Sequence, residues 1–137
     1  MNIIKIALFC LLLFVCYNQA VSQALQQKTS YDVMQMLPEL DSASSVIIDG
    51  RDSAKFCNGH LKNAVCLDAF SAEASELLSQ YLNFGTIVVY CTTKNRTETI
   101  VEMLQKLSYG GTIICMMDGL TGWIENGFPV EKEVKNQ

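Results

Sequence analysis

Residues 86–97 of this chain are Thr86-Ile87-Val88-Val89-Tyr90-Cys91-Thr92-Thr93-Lys94-Asn95-Arg96-Thr97. A short run of β-branched and aromatic residues predicts a buried strand over Thr86 to Tyr90. Beyond Arg96 the apolar residues repeat at helical spacing, which predicts a helix over Thr97 to Leu107. Cys91 therefore stands where a strand ends, just before a helix begins.

The residues around Cys91 are those expected of a reactive thiol. Backbone N–H groups converge at the start of a helix, and the helix dipole adds partial positive charge there. Both effects favour a thiolate over a thiol, and both can hold an anion. Lys94 and Arg96 bring two cationic side chains to the same loop. The alternative is a buried strand-end cysteine that behaves as a small hydrophobic residue.

The rest of the chain alternates predicted strands and helices. The other strands are Val46 to Asp49, Ala64 to Leu67 and Thr112 to Met116. The other helices are Tyr31 to Leu37, capped by Ser30 and closed by Pro38; one turn over Ser53 to Cys57; a helix from the cap Ser71 to Leu82; and Leu120 to Asn126, ended by Gly127. Continuous apolar strands between helices predict an α/β fold with a mostly parallel sheet covered on both faces. Ligands bind such sheets at the carboxyl ends of the strands, where Cys91 lies.

The N-terminus has the layout of a secretory signal peptide. One lysine, Lys5, precedes an apolar stretch from Ile6 to Tyr17, and small and polar residues follow. We predict a signal peptide over residues 1–24, cleaved after about residue 20 to 24, and a single domain over residues 25–137. The apolar stretch is shorter than the roughly 20 residues of a spanning helix, although an uncleaved anchor remains an alternative. Lipidation at Cys16 is a weaker alternative, because bulky residues precede it.

This leader predicts an exported protein, periplasmic or secreted, without stable membrane association after cleavage. The stretch from residue 23 to residue 29 is expected to be a loose lead-in, and the polar tail from residue 131 to residue 137 is expected to fray. Ten basic and fourteen acidic side chains make the chain mildly acidic, which argues against nucleic acid as a partner.

Four of the six cysteines lie beyond the predicted leader: Cys57, Cys66, Cys91 and Cys115. An even number in an exported protein is compatible with disulfides, and Cys57 and Cys66 flank a turn that they could bridge. Cys115 lies in an apolar run and is expected to be buried. The chain has one histidine, His60, and its cysteines lack the close paired spacing of zinc sites, so we expect no metal.

Three groups of residues, in this order along the chain, resemble the motifs of the rhodanese family. The first motif places Asp-x-Arg after a strand, then an aromatic residue and Gly-His-Ile-x-x-Ala. Here it is Asp49-Gly50-Arg51, Phe56, Gly59-His60-Leu61 and Ala64. The second is a strand that ends in Cys, with a six-residue loop that closes in Arg. Here it is Cys91 to Arg96. The third is Gly119-Leu120, Trp123, Gly127, Pro129 and Val130.

The resemblance implies a rhodanese-like α/β domain in which Cys91 is the sulfur-carrying nucleophile and Arg96 stabilises the bound anion. The intervening residues Thr92, Thr93, Lys94 and Asn95 would form the anion cradle. Asp49, Arg51, His60 and Trp123 would be structural. The implied donor is a small anion such as thiosulfate, the acceptor is a thiol or cyanide, and no metal or organic cofactor is needed. The sulfurtransferases of this family have a cradle of six residues, as here, whereas the related phosphatases and arsenate reductases have a cradle that is one residue longer.

Four positions depart from the family pattern, and one of them is Asp118, which stands where the family often has the first glycine of a pair. The loop often has a basic residue after the cysteine and a glycine at its fourth position, where this chain has Thr92 and Lys94. Because glycine takes positive φ at no cost and lysine does not, we expect this loop to be strained or shaped differently. Lys55 stands where a glutamate is common, so Arg51 is expected to lack its usual partner. These departures motivate the alternative of a non-catalytic binding or persulfide-carrier module.

Overall fold

The computed structural model describes residues 2–10 and 25–133. Its strands are β1 (Leu25–Lys28), β2 (Ser45–Asp49), β3 (Ala64–Cys66), β4 (Thr86–Tyr90) and β5 (Thr112–Met116). Its helices are α1 (Ser30–Met36), a 3₁₀ helix (Leu37–Glu39), α2 (Ser53–Asn58), α3 (Ala74–Ser79), α4 (Asn95–Lys106) and α5 (Gly119–Glu125).

Part of the predicted signal peptide falls within the described residues. Residues 3–10 are helical, and apolar side chains such as Ile3 and Phe9 are exposed. The predicted cleavage region and Cys16 lie outside the described residues. None of the helices in the described ranges is long and apolar enough to cross a membrane.

The five strands form one parallel sheet in the order β1-β5-β4-β2-β3. Each of its faces carries a separate apolar cluster. Ile87 and Val89 of β4 contribute to the cluster under α3 and α4. Val88 and Tyr90 contribute to the cluster under α1 and α5. The continuous apolar run of β4 thus covers both faces, as the period of two along a strand requires, and the predicted α/β fold is confirmed.

The register of the sheet brings three strand ends to one edge. Asp49 at the end of β2 pairs with Tyr90 of β4 on one side and with Cys66 of β3 on the other. Cys91 follows Tyr90 directly, so it lies at the carboxyl edge beside the ends of β2 and β3.

The segment predicted as a loose lead-in is partly a strand. Residues Leu25–Lys28 pair in parallel with β5, and Lys28 accepts a hydrogen bond from the N–H of Met117. Their side chains alternate between exposed and half-buried, because β1 is an edge strand stabilised mainly by its backbone ladder. Polar composition hid this strand from an argument based on apolar runs. At the other end of the domain, the first residue of the tail that was predicted to fray is ordered, because Glu131 forms an antiparallel bridge with His60.

Several helix boundaries also differ from the prediction. The cap of α1 is Thr29 and not Ser30, because Thr29 forms a capping box with Asp32. The α-helix ends at Met36, shortly before Pro38 as predicted, and Pro38 lies in the separate 3₁₀ turn that follows, where proline is tolerated near the start. Helix α3 begins at Ala74 and ends at Ser79, so Ser71 is not its cap. Helix α4 begins at Asn95, two residues before the predicted start.

Candidate functional site

The Cys91 loop, defined here as residues 91–96, joins β4 to α4 at the carboxyl edge of the sheet. Cys91 is 2% exposed, whereas Thr92, Thr93, Lys94 and Asn95 are exposed and Arg96 is half-buried. The last two loop residues already belong to α4, because that helix starts at Asn95. The six residues that the sequence assigns to a catalytic cysteine and its anion cradle are therefore brought together on one tight turn.

Helix α5 fixes the orientation of the first two peptide units of this loop. The N–H of Leu120 donates to the Cys91 carbonyl at 2.8 Å, and the N–H of Thr121 donates to the Thr92 carbonyl at 3.1 Å. The Thr121 hydroxyl donates to the same Thr92 carbonyl at 3.0 Å. Because C=O and N–H point in opposite directions across a trans peptide, the N–H groups of Thr92 and Thr93 face away from α5.

Gly119 allows α5 to approach the loop this closely. Its φ is +60°, and a Cβ atom built on it would lie 2.4 Å from the Thr92 carbonyl oxygen and 2.6 Å from the Cys91 carbonyl oxygen. Both the backbone conformation and the lack of space exclude a side chain here. This glycine belongs to the third sequence motif, and its position explains why that motif begins with glycine.

The backbone donors of the loop remain available. In the part of the chain that the structure describes, the N–H groups of residues 92–97 make no hydrogen bond with protein atoms. Helix α4 leaves its first N–H groups without intrahelical partners, and the loop adds those that precede the helix. Such consecutive donors at a helix start favour bound negative charge. The arrangement supports an anion cradle beside the Cys91 sulfur.

Lys94 does not strain the loop. Its φ is −131°, and the positive φ angles of non-glycine residues in the described ranges occur at Asn63 and Ser108. The prediction of strain at the position where the family often has glycine is therefore wrong, since an ordinary side chain adopts this conformation. Lys94 is exposed, so its ammonium group is accessible to an anion at the mouth of the loop.

Arg96 closes the loop against an aromatic ring. Its guanidinium carbon lies 4.7 Å from the centroid of the Phe70 ring, which is a cation–π distance. The Nε atom of Arg96 is buried and has no hydrogen-bond partner among the described residues. The side chain is thus held by the ring, while its N–H groups retain donor capacity for a ligand.

Asp49 and Arg51 form a buried ion pair beside the loop. The Arg51 guanidinium donates to both carboxylate oxygens of Asp49, with a shortest distance of 2.6 Å, and also to the Gly59 carbonyl at 2.6 Å. Burial alone would lower the pKa of Arg51, but the hydrogen bonds to Asp49 outweigh it and raise that pKa. Position 55 supplies no partner to Arg51, as expected, because Lys55 pairs with Asp52; Asp49 is the acidic partner of Arg51 instead.

The hydrogen bonds and ring contacts of His60 and Trp123 are with residues outside the Cys91 loop. The His60 ring stacks on Phe56 with 3.8 Å between centroids, and its Nδ1 lies 3.0 Å from the Phe56 carbonyl. Trp123 is buried, and its indole N–H donates to the Pro129 carbonyl at 2.9 Å. Each side chain thus has its polar partner close by in the sequence, four positions away for His60 and six for Trp123.

The other cysteines of the domain are placed differently from Cys91. Cys57 donates to the Glu133 carboxylate and Cys66 to the Arg51 carbonyl, so the two are not joined to each other. Desolvation, together with the nearby charge of Asp49, raises the pKa of Cys66 to about 11. Burial raises the pKa of Cys115 to about 11. These two thiols are consequently poor nucleophiles near neutral pH.

One residue near the loop was not identified from the sequence. Phe70 lies in a turn that nothing in its neighbourhood marks as part of the site, and its contact with Arg96 spans 26 positions. Asp118 was marked by its departure from the family motif, but its contact was not predicted: its carboxylate accepts from the N–H and the hydroxyl of Ser30 at 2.7 and 2.6 Å. Among the described residues, no group of three or more His, Cys, Asp or Glu side chains could hold a metal ion.

Comparison with known proteins agrees with this architecture. The Rhodanese-like domain family matches residues 30–126. A rhodanese-related protein from Thermoplasma volcanium has a TM-score of 0.66 at 23% identity, over 79% of this chain and 99% of that one. A rhodanese-like domain protein from Staphylococcus aureus has a TM-score of 0.64 at 19% identity, over 80% of this chain and 99% of that one.

A thiosulfate sulfurtransferase from Pseudomonas aeruginosa is also similar in structure. Its TM-score is 0.62 at 16% identity, and the match covers 82% of this chain but 21% of that protein. At identities this low, the solved structures show a shared fold alone. No curated protein sequence matches the chain.

Proposed function

This chain belongs to the rhodanese-like domain family, and from that premise we propose that it is an exported sulfurtransferase that carries sulfur on Cys91. The observation that carries the proposal is the Cys91 loop itself: a cysteine at a helix start, six consecutive N–H donors without a hydrogen-bond partner among the described residues, and Arg96 at the end of the turn. Export rests on the predicted leader alone, and N-terminal sequencing of the exported protein checks it.

The proposed reaction has two displacement steps. The Cys91 thiolate attacks the outer sulfur of thiosulfate, so that a Cys91–sulfur bond forms, the bond between the two donor sulfurs breaks, and sulfite leaves with the electron pair. A thiolate or cyanide then attacks the outer sulfur of the persulfide, and Cys91 leaves as a thiolate. No net oxidation or metal is required, because each step exchanges one bond to sulfur for another.

The loop would stabilise the negative charge that accompanies both steps. Preorganised N–H donors and a cation stabilise developing charge without reorganising during the reaction. Lys94, which is exposed, would attract the donor and bind its remaining charge. Cys66 and Cys115 are weaker candidates for the nucleophile, because both have a pKa raised to about 11.

A binding or persulfide-carrier module without turnover is the second candidate. It was motivated by Thr92 and Lys94, which depart from the family pattern. The negative φ of Lys94 removes strain as a reason for inactivity, so the remaining support is the replacement of a basic residue by Thr92. This candidate predicts sulfur on Cys91 without its release to small acceptors.

The test is transfer from thiosulfate, followed by intact mass and by turnover. We expect the wild-type domain to gain one sulfur atom, and Cys91→Ser to gain none while it keeps its fold, because a hydroxyl cannot form the persulfide. Arg96→Ala should lower kcat/KM by roughly a hundredfold without abolishing transfer, since losing one such electrostatic contact costs about 2.7 kcal/mol or more and the loop N–H groups remain.

Cys66→Ser is the matched control, because Cys66 ends β3 at the same edge of the sheet and should leave transfer unchanged. Continued turnover by Cys91→Ser would refute the assignment of the nucleophile. A wild-type protein that gains sulfur but passes it to no thiol or cyanide would favour the carrier module.

A further inference from the structure

The contact between Arg96 and Phe70 forms an apolar rim on one side of the Cys91 loop. Phe70 is 62% exposed although its ring lies 4.7 Å from the Arg96 guanidinium carbon. Single exposed apolar residues are common on protein surfaces and mean little alone. This one differs because it contacts the last residue of a loop whose backbone donors make no hydrogen bond with the residues that the structure describes.

The backbone around Phe70 is anchored, so the position of the ring is defined. The N–H of Phe70 donates to the Asp68 carboxylate at 3.0 Å, and the N–H of Ser71 donates to the Asp68 carbonyl at 3.1 Å. On the other side, the N–H of Ala69 donates to the Gly50 carbonyl at 3.1 Å. These bonds tie the turn both to itself and to the loop after β2.

The geometry of the pair leaves both partners able to contact a ligand. A guanidinium that packs its face on a ring keeps the N–H groups in its own plane available to an anion. The Arg96 side chain is half-buried, and its buried Nε has no hydrogen-bond partner within the described residues, so the guanidinium is not already committed to a protein acceptor. Most of the Phe70 ring is meanwhile accessible to an apolar group. The rim therefore offers a cationic donor and an aromatic surface side by side.

We propose that Phe70 determines substrate specificity, and that the site prefers organic sulfur-carrying anions of the thiosulfonate class over inorganic thiosulfate. The inference rests on the proposed sulfurtransferase function. The anionic head of such a donor would lie at the loop N–H groups and Arg96. Its carbon body would lie against the Phe70 ring. Inorganic thiosulfate would use the first contact and not the second.

The chemistry of an organic donor is the same displacement. The Cys91 thiolate attacks the terminal sulfur of a thiosulfonate anion and forms the Cys91–sulfur bond. The bond between that sulfur and the sulfonyl sulfur breaks, and the organic sulfinate leaves with the electron pair. Apart from the acceptor that later removes the sulfur, no oxidant, reductant or further reactant is needed.

The test compares kcat/KM for benzenethiosulfonate, methanethiosulfonate and thiosulfate in the wild type, Phe70→Ala and Phe70→Leu. We expect Phe70→Ala to lower the benzenethiosulfonate-to-thiosulfate ratio about threefold to tenfold, which is the worth of one aromatic contact. The change should appear in KM. Methanethiosulfonate, which lacks a ring, should lose less, and Phe70→Leu should give an intermediate ratio. Comparing each ratio across variants cancels the intrinsic reactivity of the donors.

Leu77→Ala is the control, because Leu77 is an exposed apolar residue on α3 at 42% exposure. It should leave every ratio unchanged. The proposal is overturned if Phe70→Ala leaves the ratio unchanged, if Leu77→Ala lowers it equally, or if Phe70→Ala slows all three donors by the same factor. The last outcome would mean that Phe70 only positions Arg96.

Failure of the proposed function would be recognised separately. If the wild type turns over none of the three donors, the sulfurtransferase proposal fails, and equilibrium binding of benzenesulfonate and methanesulfonate then tests the rim. Tighter binding of benzenesulfonate that Phe70→Ala removes would support the aromatic surface. Equal affinity for the two sulfonates would overturn it.

Discussion

Two neighbouring loops at the carboxyl edge of the sheet use their polar groups in opposite ways. The Asp49 loop (residues 49–51) follows β2, the Cys91 loop follows β4, and their strands end in register, since Asp49 pairs with Tyr90. In the Asp49 loop the charges are buried and paired with each other. In the Cys91 loop the backbone donors make no hydrogen bond with the described residues, and the Nε atom of Arg96 also has no hydrogen-bond partner there.

The Asp49 loop therefore acts as a scaffold, whereas the Cys91 loop presents the groups that can bind a ligand. The Asp49–Arg51 pair is buried, and its charges are directed at each other and at the Gly59 carbonyl, so it serves to fix the backbone on which the adjacent loop is built. The N–H of Gly50 donates to the Tyr90 carbonyl at 2.8 Å, so the Asp49 loop holds the residue that precedes Cys91. Unsatisfied donors are tolerated in the Cys91 loop because water can solvate exposed groups until an anion replaces it.

The largest effect on stability should come from breaking the pair in the Asp49 loop. Asp49→Ala would leave the Arg51 charge buried, with a side chain that is 6% exposed, and should lower the free energy of unfolding by about 3–5 kcal/mol. Denaturant unfolding measures it. Lys55→Ala breaks an exposed ion pair with Asp52 and should cause no measurable change. Equal losses in the two variants would contradict the distinction between a buried and an exposed pair.

The contact between α5 and the Cys91 loop can be broken through Gly119. Gly119→Ala places a methyl group against the carbonyl oxygens of Cys91 and Thr92, so the loop must move. Gly127→Ala is the matched control, because its φ is +74° but nothing lies within 4 Å of the added atom. Both substitutions carry the backbone cost of about 1–2 kcal/mol. Gly119→Ala should add about 1–3 kcal/mol from overpacking.

The same two glycine variants can also be compared by their rates of sulfur transfer. Because the loop N–H groups must keep their orientation, Gly119→Ala should also reduce sulfur transfer at least tenfold, whereas Gly127→Ala should leave it unchanged. If both glycine variants retained full transfer, the contact with α5 would not be what orients the loop.

The sequence predicted the parts of this architecture that rest on apolar pattern. The bounds of β4 and β5 are those predicted, because both are continuous apolar runs in the sheet interior. Strand β1 was missed, because Gln26, Gln27 and Lys28 are polar and the strand is stabilised by backbone pairing at an edge. The start of α4 was placed too late, because Asn95 and Arg96 carry no apolar signal.

The sequence could predict only the part of the candidate site that a single contiguous segment forms. The Cys91 loop is contiguous in sequence, so its residues had to lie together. The Phe70–Arg96 contact and the Ser30–Asp118 hydrogen bonds join positions far apart in the chain, and each depends on how turns are oriented in the folded state. The absence of an acidic partner for Arg51 at position 55 was expected from Lys55, but the substitute Asp49 was not identified, because the sequence does not show that the two side chains fold back on each other.

The smallest expected effect concerns Tyr90, which connects the two loops. Burial, followed by the charge of Asp49, raises the pKa of Tyr90 well above its ordinary value, and its hydroxyl oxygen accepts from the N–H of Leu61 at 3.0 Å. Tyr90→Phe leaves that buried N–H without its acceptor and should cost about 1–3 kcal/mol at neutral pH.

The pH dependence of that cost identifies its origin. Above about pH 10 the unfolded tyrosine loses its proton while Tyr90 in the folded protein keeps it, so the unfolded state binds fewer protons and the wild type loses stability as the pH rises. Tyr90→Phe lacks this loss, so the stability gap between the two proteins should narrow from pH 10 to pH 11. Burial also raises the pKa of Tyr109, and the difference between the two curves removes its contribution. A gap that stays constant across this range would mean that Tyr90 ionises as readily in the folded protein as in the unfolded chain.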